Sequence, residues 1–400
     1  MEGRGRRGNV LGICTSRKQD VMYQVLDSYK RYDQKYNLVC RPHWDFSLRK
    51  MVPLGRETQL RHMTHSVSGL GLQDFALASS AQLVAASFGT EINTPDAGLK
   101  SWTPIPVSPF FNFPEQKPAV TDADGMTRKI KRAARYLGAD LVGIAKLDMR
   151  WVYSHHYLLE TGESKPVEID ERYKYLIVMA MGEDYDMIRT APSALYMSET
   201  FLTYSRMAFL VGALAQFIRQ LGYHAIPSLN DTTLNIPIAV DAGLGQFGRN
   251  GLLITPQFGP RQRICKVITD LPVTPDKPVD FGVTQFCEIC RKCARSCPAQ
   301  AISYEGRTAE VSSISTNPGV MKWPISGETC WEYRLRHFGT NCGICRRVCP
   351  FNKSKAGIHD AIRWVIKHAP WADRLLIWLD DRLRYGRPLV PETFWNSPKT

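Results

Sequence analysis

The sequence predicts a mixed α+β protein of two main units, a helix-and-strand core followed by a cysteine-dense module. Three observations lead there. Residues 120–280 mix apolar runs of strand length with helical patterns. Eight of the 11 cysteines fall between residues 287 and 349. Pro272, Pro275 and Pro278 mark a linker between the two stretches. Element order alone leaves the core open between α+β and α/β.

The chain has 400 residues and a mass of 45.3 kDa, enough for two or three domains with a sizeable core. Its 44% apolar and 22% charged residues exclude a disordered chain, a collagen and a coiled coil. No stretch approaches the ~18 uninterrupted apolar residues of a membrane span, so a membrane-spanning chain is not expected. The 51 basic and 38 acidic residues leave a charge of +13. Alone, that surplus points to nucleic acid or an anionic membrane face.

Arg6 and Arg7 form a pair, but Arg17, Lys18 and Asp20 follow the short apolar run Val10–Cys14. A secretory signal needs ~7–15 apolar residues, so this start reads as a basic tail without an intact signal. Residues 21–36 alternate aromatic and charged positions, which predicts a helix. Residues 40–118 are rich in Pro, Gly, Ser and Trp, so 1–118 reads as a loop-rich N-terminal unit with one apolar helix near Phe75–Phe88. A core spans 119–280. It opens with a basic amphipathic helix, Thr127–Leu137, stopped at Gly138. Strands are predicted at Leu141–Ala145 and Tyr175–Met181. A long helix follows at Phe201–Leu221, apolar most of the way round and therefore buried, with Gly222 as its stop. Further strands are predicted at Tyr223–Pro227, Ile236–Val240, Leu252–Thr255 and Arg263–Asp270. The cysteine module is 281–353, and a Trp-rich amphipathic helical tail fills 354–400.

In the module, Cys287-x2-Cys290-x2-Cys293-x3-Cys297-Pro298 has the spacing of the bacterial ferredoxin run. The second run is Cys330-x11-Cys342-x2-Cys345-x3-Cys349-Pro350. In such pairs the cysteine before proline crosses to the other cluster. Cys287, Cys290, Cys293 and Cys349 are thus expected to hold one [4Fe–4S] cluster, and Cys330, Cys342, Cys345 and Cys297 the second. A structural zinc site uses paired CxxC without the third thiolate and the Cys-Pro ending. Two oxidised clusters with their thiolates, at roughly −2 each, bring the net charge nearer about +9 and weaken the nucleic-acid argument. Cys14, Cys40 and Cys265 read as small apolar fillers. Trp323, beside Lys322, and Trp331 read as packing over the clusters.

Gly243-Leu-Gly245-Gln-Phe-Gly248-Arg-Asn-Gly251 is a literal GxGxxG. A dinucleotide turn must open a long helix, and Pro256, Gly259 and Pro260 preclude one here. The four glycines are read instead as places where backbone approaches a large flat cofactor, or as tight turns.

The segment AGLGQFGRNGLLITPQFGPRQRICKVITDLPV (242–273), followed by the ferredoxin runs, resembles the corrinoid-dependent reductive dehalogenases. So do AARYLGADLVGIA (133–145), LDMRWVYS (147–154), NPGVMKW (317–323) and the Trp-rich tail. The resemblance covers about residues 70–400. It implies a nitroreductase-like cobalamin-binding core carrying a two-[4Fe–4S] ferredoxin domain, with the corrinoid's lower base not coordinated. The implied activity is cleavage of carbon–halogen bonds in a small organohalide, with electrons from a low-potential donor passing through the clusters to cobalt. The family's active-site tyrosine, asparagine and basic residue fall on Tyr204, Asn230 and Arg263, with Arg261 a rival for the basic role.

These residue types suit the task. A tyrosine hydroxyl is a weak acid, and a nearby guanidinium stabilises its anion. An asparagine amide can donate toward halide or substrate. Trp44, Phe46, Trp102, Phe110 and Phe111 are candidates for an apolar substrate pocket. His65, His155 and His156 are not read as metal ligands. Respiratory members of the family carry a twin-arginine signal and work at the outer face of the cytoplasmic membrane beside a small membrane-anchor protein. That signal is not read here, so a peripheral membrane location and a cytoplasmic one are both expectations. No nucleic-acid partner is expected.

Other readings are weighed against this one. Epoxyqueuosine reductases share the architecture and act on tRNA, but the 51 residues after Cys349 are too few for several helical repeats. A pure electron carrier does not account for the 280 residues before a module that needs fewer than about 80. A corrinoid reductase of another kind stays open.

Overall fold

The strand Tyr175–Gly182 reads YLIVMAMG, and residues 176–181 are all buried. A strand apolar on both faces needs cover on both. It lies second in a four-stranded sheet of order Leu141–Lys146, Tyr175–Gly182, Gln262–Thr269, Ala225–Ser228. Every pairing is antiparallel, which decides for α+β and against a doubly wound α/β core. The computed structural model describes residues 23–87, 117, 119–354 and 356–396.

Side chains alternate across the sheet. Ile144, Ile177, Met179, Cys265 and Val267 pack against the helices Ala123–Tyr136 and Ala194–Gln220. Leu176, Val178, Ile264 and Ile268 face the other way, toward Trp151 and the helix Asn235–Asp241. Each fully buried aliphatic side chain contributes about 1.5–3 kcal/mol. Gly222 ends the long helix at φ +82°, a conformation that disfavours any side chain. That helix is long and apolar enough by composition to cross a membrane, yet Met207, Leu210, Val211 and Leu214 are buried against the sheet.

Several elements depart from expectation. The long helix starts at Ala194, capped by Ser193, seven residues before Phe201. Its first turns carry Ser198, Glu199, Thr200 and Thr203, all of them buried. Ile236–Val240 is helical, not extended. Pro237 is its third residue, where the missing N–H costs no intrahelical bond. Within 23–36 there is only a single 3-10 turn, Gln34–Tyr36. The rest is a strap: Val25 bridges Val320, and Arg31 donates to the carbonyls of Val152, Tyr153 and Val167. The loop-rich reading fails over 46–87, which forms the helices Phe46–Arg49, Met51–Thr64, Leu72–Ala81 and Leu83–Ser87. Pro53 and Gly55 hid the second of these. Proline sits in its first turn, and a Cβ on Gly55 would lie 3.0 Å from Leu335 of the helix Gly327–Phe338. The strand expected at 252–255 shrinks to Leu253–Ile254, paired with Gln246–Phe247.

In the cysteine module, Val283–Cys290 is the longest helix before Cys297. The tail forms Gly357–His368, Asp373–Arg382 and Glu392–Trp395. It is pinned to the module by buried Asp380, which accepts from both Lys292 and Lys353. Residues 281–283 dock on the core through Gln246, whose side-chain oxygen accepts from the N–H groups of Phe281 and Val283.

Candidate functional site

Three elements converge on one point. The helix Ala194–Gln220 presents Tyr204, the turn after Ala225–Ser228 presents Asn230, and the strand Gln262–Thr269 presents Arg263. Asn230 Nδ2 donates to the Tyr204 hydroxyl at 2.7 Å. The Arg263 Cζ lies 5.6 Å from the centre of the Tyr204 ring. All three residues line two hollows and stand where these meet. One hollow, about 660 Å³, is walled by Trp151, Tyr153, Leu252 and Trp323 among others. The other, about 870 Å³, is walled by Phe201, Ile302, Ile325 and four cysteines.

The orientation of Asn230 follows from a chain of contacts. Lys266 is buried inside an apolar strand, and its ammonium can only donate. It donates to Leu229 O at 2.6 Å and to Asn235 Oδ1 at 2.8 Å. The Asn235 amide must therefore turn its NH2 outward, and it donates to Asn230 Oδ1 at 2.6 Å. That leaves the Asn230 NH2 for the tyrosine oxygen. These amide assignments rest on the hydrogen-bond network. The hydroxyl accepts here, and its own proton is left for the cavity.

Arg263 is held from behind. Its Nε donates to Glu183 Oε1 at 3.1 Å and its Nη2 to Thr200 Oγ1 at 2.9 Å. The Glu183 side chain is fully buried and also takes Arg346, which reaches both carboxylate oxygens. Arg261 is elsewhere. It donates to the Glu183 carbonyl at 2.8 Å and the Lys353 carbonyl at 3.1 Å, under the rings of Tyr185 and Phe258, and lines neither hollow. Its part is structural.

Cys287, Cys290, Cys293 and Cys349 line one small hollow with Arg249 and Phe351. Cys297, Cys330, Cys342 and Cys345 line the hollow that Tyr204 shares. Burial pushes the thiols of Cys287, Cys290 and Cys293 up to about 12 and that of Cys342 up to about 11. Cys349 is raised well above the ordinary range by burial and then by its three neighbours Cys287, Cys293 and Cys290. Such thiols keep their protons at neutral pH unless a metal displaces them. Among the described residues, no three His, Cys, Asp or Glu side chains converge closely enough for a single metal ion. Two tetrads of thiols, each spread around a hollow, fit a polynuclear cluster.

Of the two tasks expected of the glycine run, turns and close packing of the chain on itself fit most of it. A Cβ on Gly243 would meet Lys277 O at 2.5 Å, and one on Gly245 would meet Ile254 O at 2.1 Å. Gly248 is closed off by Ile254 and Asn250 in the same way. These three face the protein's own chain and line neither hollow, so their need for glycine is packing, not a cofactor surface. Only Gly251 of the four lines the 660 Å³ cavity. The run also delivers Arg249, fully buried, to the carbonyls of Cys287 at 3.0 Å and of Ser303 and Glu305 at 2.8 Å.

Of the candidate pocket aromatics, Trp44 bonds Lys35 O and Phe46 is exposed, and neither lines a hollow. Trp102, Phe110, Phe111 and Cys14 lie outside the described residues. The N-terminal segment contributes Tyr23, Asn37, Leu38 and Val39 instead. His65, His155 and His156 line neither hollow. Cys265 is buried in the core, its thiol pushed up to about 12, and Cys40 is buried too. Trp323 is a wall of the 660 Å³ hollow, while Trp331 packs under Arg334. Sequence reasoning missed Glu183, Arg346, Asn235 and Lys266. A lysine inside the apolar run Ile264–Thr269 was the one available signal, since a buried cation demands partners.

Residues 286–352 match the family model described as a 4Fe-4S double cluster binding domain, and residues 159–273 the model described as a reductive dehalogenase subunit. The tetrachloroethene reductive dehalogenase of Sulfurospirillum multivorans is 39% identical over 321 residues, covering 74% of this chain and 63% of its own length. That of Desulfitobacterium hafniense is 37% identical over 357 residues, covering 76% and 64%. The chain thus spans less than two thirds of these curated relatives. The solved structure of the catabolic reductive dehalogenase NpRdhA superposes with a TM-score of 0.69 at 25% identity, over 92% of this chain and 49% of that one. A solved reductive dehalogenase described in terms of B12-dependent dehalogenation gives 0.70 at 25% identity, over 92% and 48%.

Proposed function

We propose that this chain, related in sequence and fold to the reductive dehalogenases, is the catalytic part of such an enzyme. It replaces a carbon-bound halogen by hydrogen, taking up two electrons and one proton and releasing halide. The observation that carries the reading is the Tyr204 hydroxyl, oriented by Asn230, at the junction of an apolar cavity and a cysteine-lined hollow.

Cys287, Cys290, Cys293 and Cys349 would hold one [4Fe–4S] cluster, and Cys297, Cys330, Cys342 and Cys345 the other. The 660 Å³ cavity has the size and apolar walls for a large flat ligand, and Gly251 is part of its lining. A corrinoid held there, its lower base not coordinated, would supply the low-potential metal chemistry at the carbon–halogen bond. The chain's own residues do the rest. Tyr204 holds the proton at its hydroxyl. Arg263 stabilises the phenolate left behind, as an adjacent cation does for any weak acid. Asn230 keeps the oxygen in place and presents an amide to substrate or halide. Phe201, Ile302 and Ile325 give the substrate an apolar wall and exclude water. The thiol set that shares Tyr204's hollow is the one from which electrons reach the site. A low-potential donor and a small organohalide are the partners. By the same resemblance we place the protein at the cytoplasmic membrane beside a small anchor protein, with the cytoplasm as the alternative.

The test is anoxic reconstitution of the chain with iron, sulfide and cobalamin, then halide release from halogenated aliphatics and phenols under a strong reductant. About eight iron and one cobalt per chain with halide release is expected. Eight iron without cobalt would make this an electron carrier. Both metals without halide from any substrate would overturn dehalogenation and direct the assay to tRNA.

A further inference from the structure

Glu183 directly follows the buried strand Tyr175–Gly182, and its carboxylate is shared by two arginines, which both reach Oε1. A single arginine would neutralise it, so two leave a surplus positive charge inside the protein. One partner is Arg263, 3.1 Å from Oε1 and beside Tyr204. The other, Arg346, directly follows Cys345, donates to the Tyr196 hydroxyl at 3.1 Å and is fixed to the Pro260 carbonyl at 3.1 Å through Nε. The Tyr196 ring lies so close to Gly343 that a Cβ there would come within 2.4 Å of it. Gly343 follows Cys342 in the same run. The loop 342–349 and the Tyr204–Arg263 pair therefore meet in one carboxylate.

We infer that Glu183 is a positioning residue that holds Arg263 against Tyr204 and couples that pair electrostatically to the cysteine run 342–349. The inference rests on the dehalogenase reading for what Tyr204 does, but the coupling stands apart from it. A negative charge beside a cluster disfavours the reduced, more negative state, so its removal must raise that cluster's potential. Its removal also frees Arg263 from its anchor.

The test uses the full chain reconstituted with iron, sulfide and cobalamin, as wild type, Glu183→Gln and Glu183→Asp. Redox titration of the iron–sulfur signals is read beside kcat and KM for halide release. In Glu183→Gln one cluster's midpoint should move positive, and kcat should fall about tenfold or more with KM nearly unchanged. Glu183→Asp keeps the charge but withdraws it from Arg263, so the midpoint should stay and kcat should still fall. A Glu183→Gln protein with full iron and an unmoved midpoint overturns the coupling. A Glu183→Asp protein with wild-type kcat overturns the positioning. Should Glu183→Gln not load its clusters, Glu183→Asp still decides the positioning by kcat, and Arg263→Gln, which removes the opposing positive charge, decides the coupling by a midpoint that must move negative. Wild-type protein that releases no halide would sink the dehalogenase reading, while the midpoints would still decide the coupling.

Discussion

Lys266 Nζ lies 2.8 Å from Asn235 Oδ1, and through that contact a residue that lines neither hollow orients the hydroxyl of Tyr204. An ammonium cannot accept, so each amide in the chain Lys266, Asn235, Asn230 has one permitted orientation. The last of them donates to the tyrosine oxygen. A hydroxyl that accepts from its neighbour keeps its own proton for the cavity, as the proposed role of Tyr204 requires.

Tyr204→Phe removes that proton without changing the shape of the cavity. Halide release should fall by about 10²–10⁴-fold, while iron and cobalt per chain stay at wild-type values. Steady-state halide assay beside metal analysis checks this, and full activity would remove Tyr204 from its role.

Arg263 and Arg261 should fail in different ways. Arg263→Lys loses the paired contacts to Glu183 and Thr200, and kcat should drop with little change in melting temperature. Arg261→Lys weakens the staple between the Glu183 and Lys353 carbonyls, which should cost about 1–3 kcal/mol of stability and leave kcat of the folded fraction near wild type. Thermal unfolding and kinetics on the same preparations separate the two.

The crossing of the thiol sets can be counted. Cys297→Ala with Cys330→Ala removes two ligands of one hollow and should cost about four iron. Cys297→Ala with Cys287→Ala takes one ligand from each hollow and should cost about eight. Equal iron in the two double variants would refute the assignment.

Asp373 opens the helix Asp373–Arg382 and is buried, which pushes its carboxyl up to about 6. The folded state then binds the proton more tightly than the unfolded chain, whose carboxyl titrates near about 3.9. This contribution is present at low pH and is lost as pH rises through about 4 to 6. At neutral pH the charged carboxylate therefore destabilises the folded state. Asp373→Asn should melt higher than wild type at pH 7 and lose that advantage near pH 4, measured with clusters in place. An advantage independent of pH would contradict burial of the charge as its cause.

Much of the fold was legible because it is written in local patterns. Residues 175–181 and 263–270 are long β-branched and apolar runs, and both are strands within a residue or two at each end. Gly138 and Gly222 lie just past helix ends because left-handed backbone there favours glycine. Ile236–Val240 was misread because a short apolar run does not carry its own period, and packing under the sheet selected helix. Met51–Thr64 was missed because its glycine answers to Leu335, nearly 300 residues away in sequence.

The same division runs through the site. The sequence by itself determined the double-cluster module, since ligand spacing is a local property of the chain and residues 286–352 match that domain. It also named Tyr204, Asn230 and Arg263 through a family resemblance, without showing what holds them. Only the tertiary structure decided that Arg263 and not Arg261 faces the cavity, and that Gly251 alone of the four glycines does. Only the fold placed Glu183 between Arg263 and Arg346. A buried charge is stable only with its partners, and those partners come from the end of one strand, the start of another and a cysteine loop. No window of sequence contains all three.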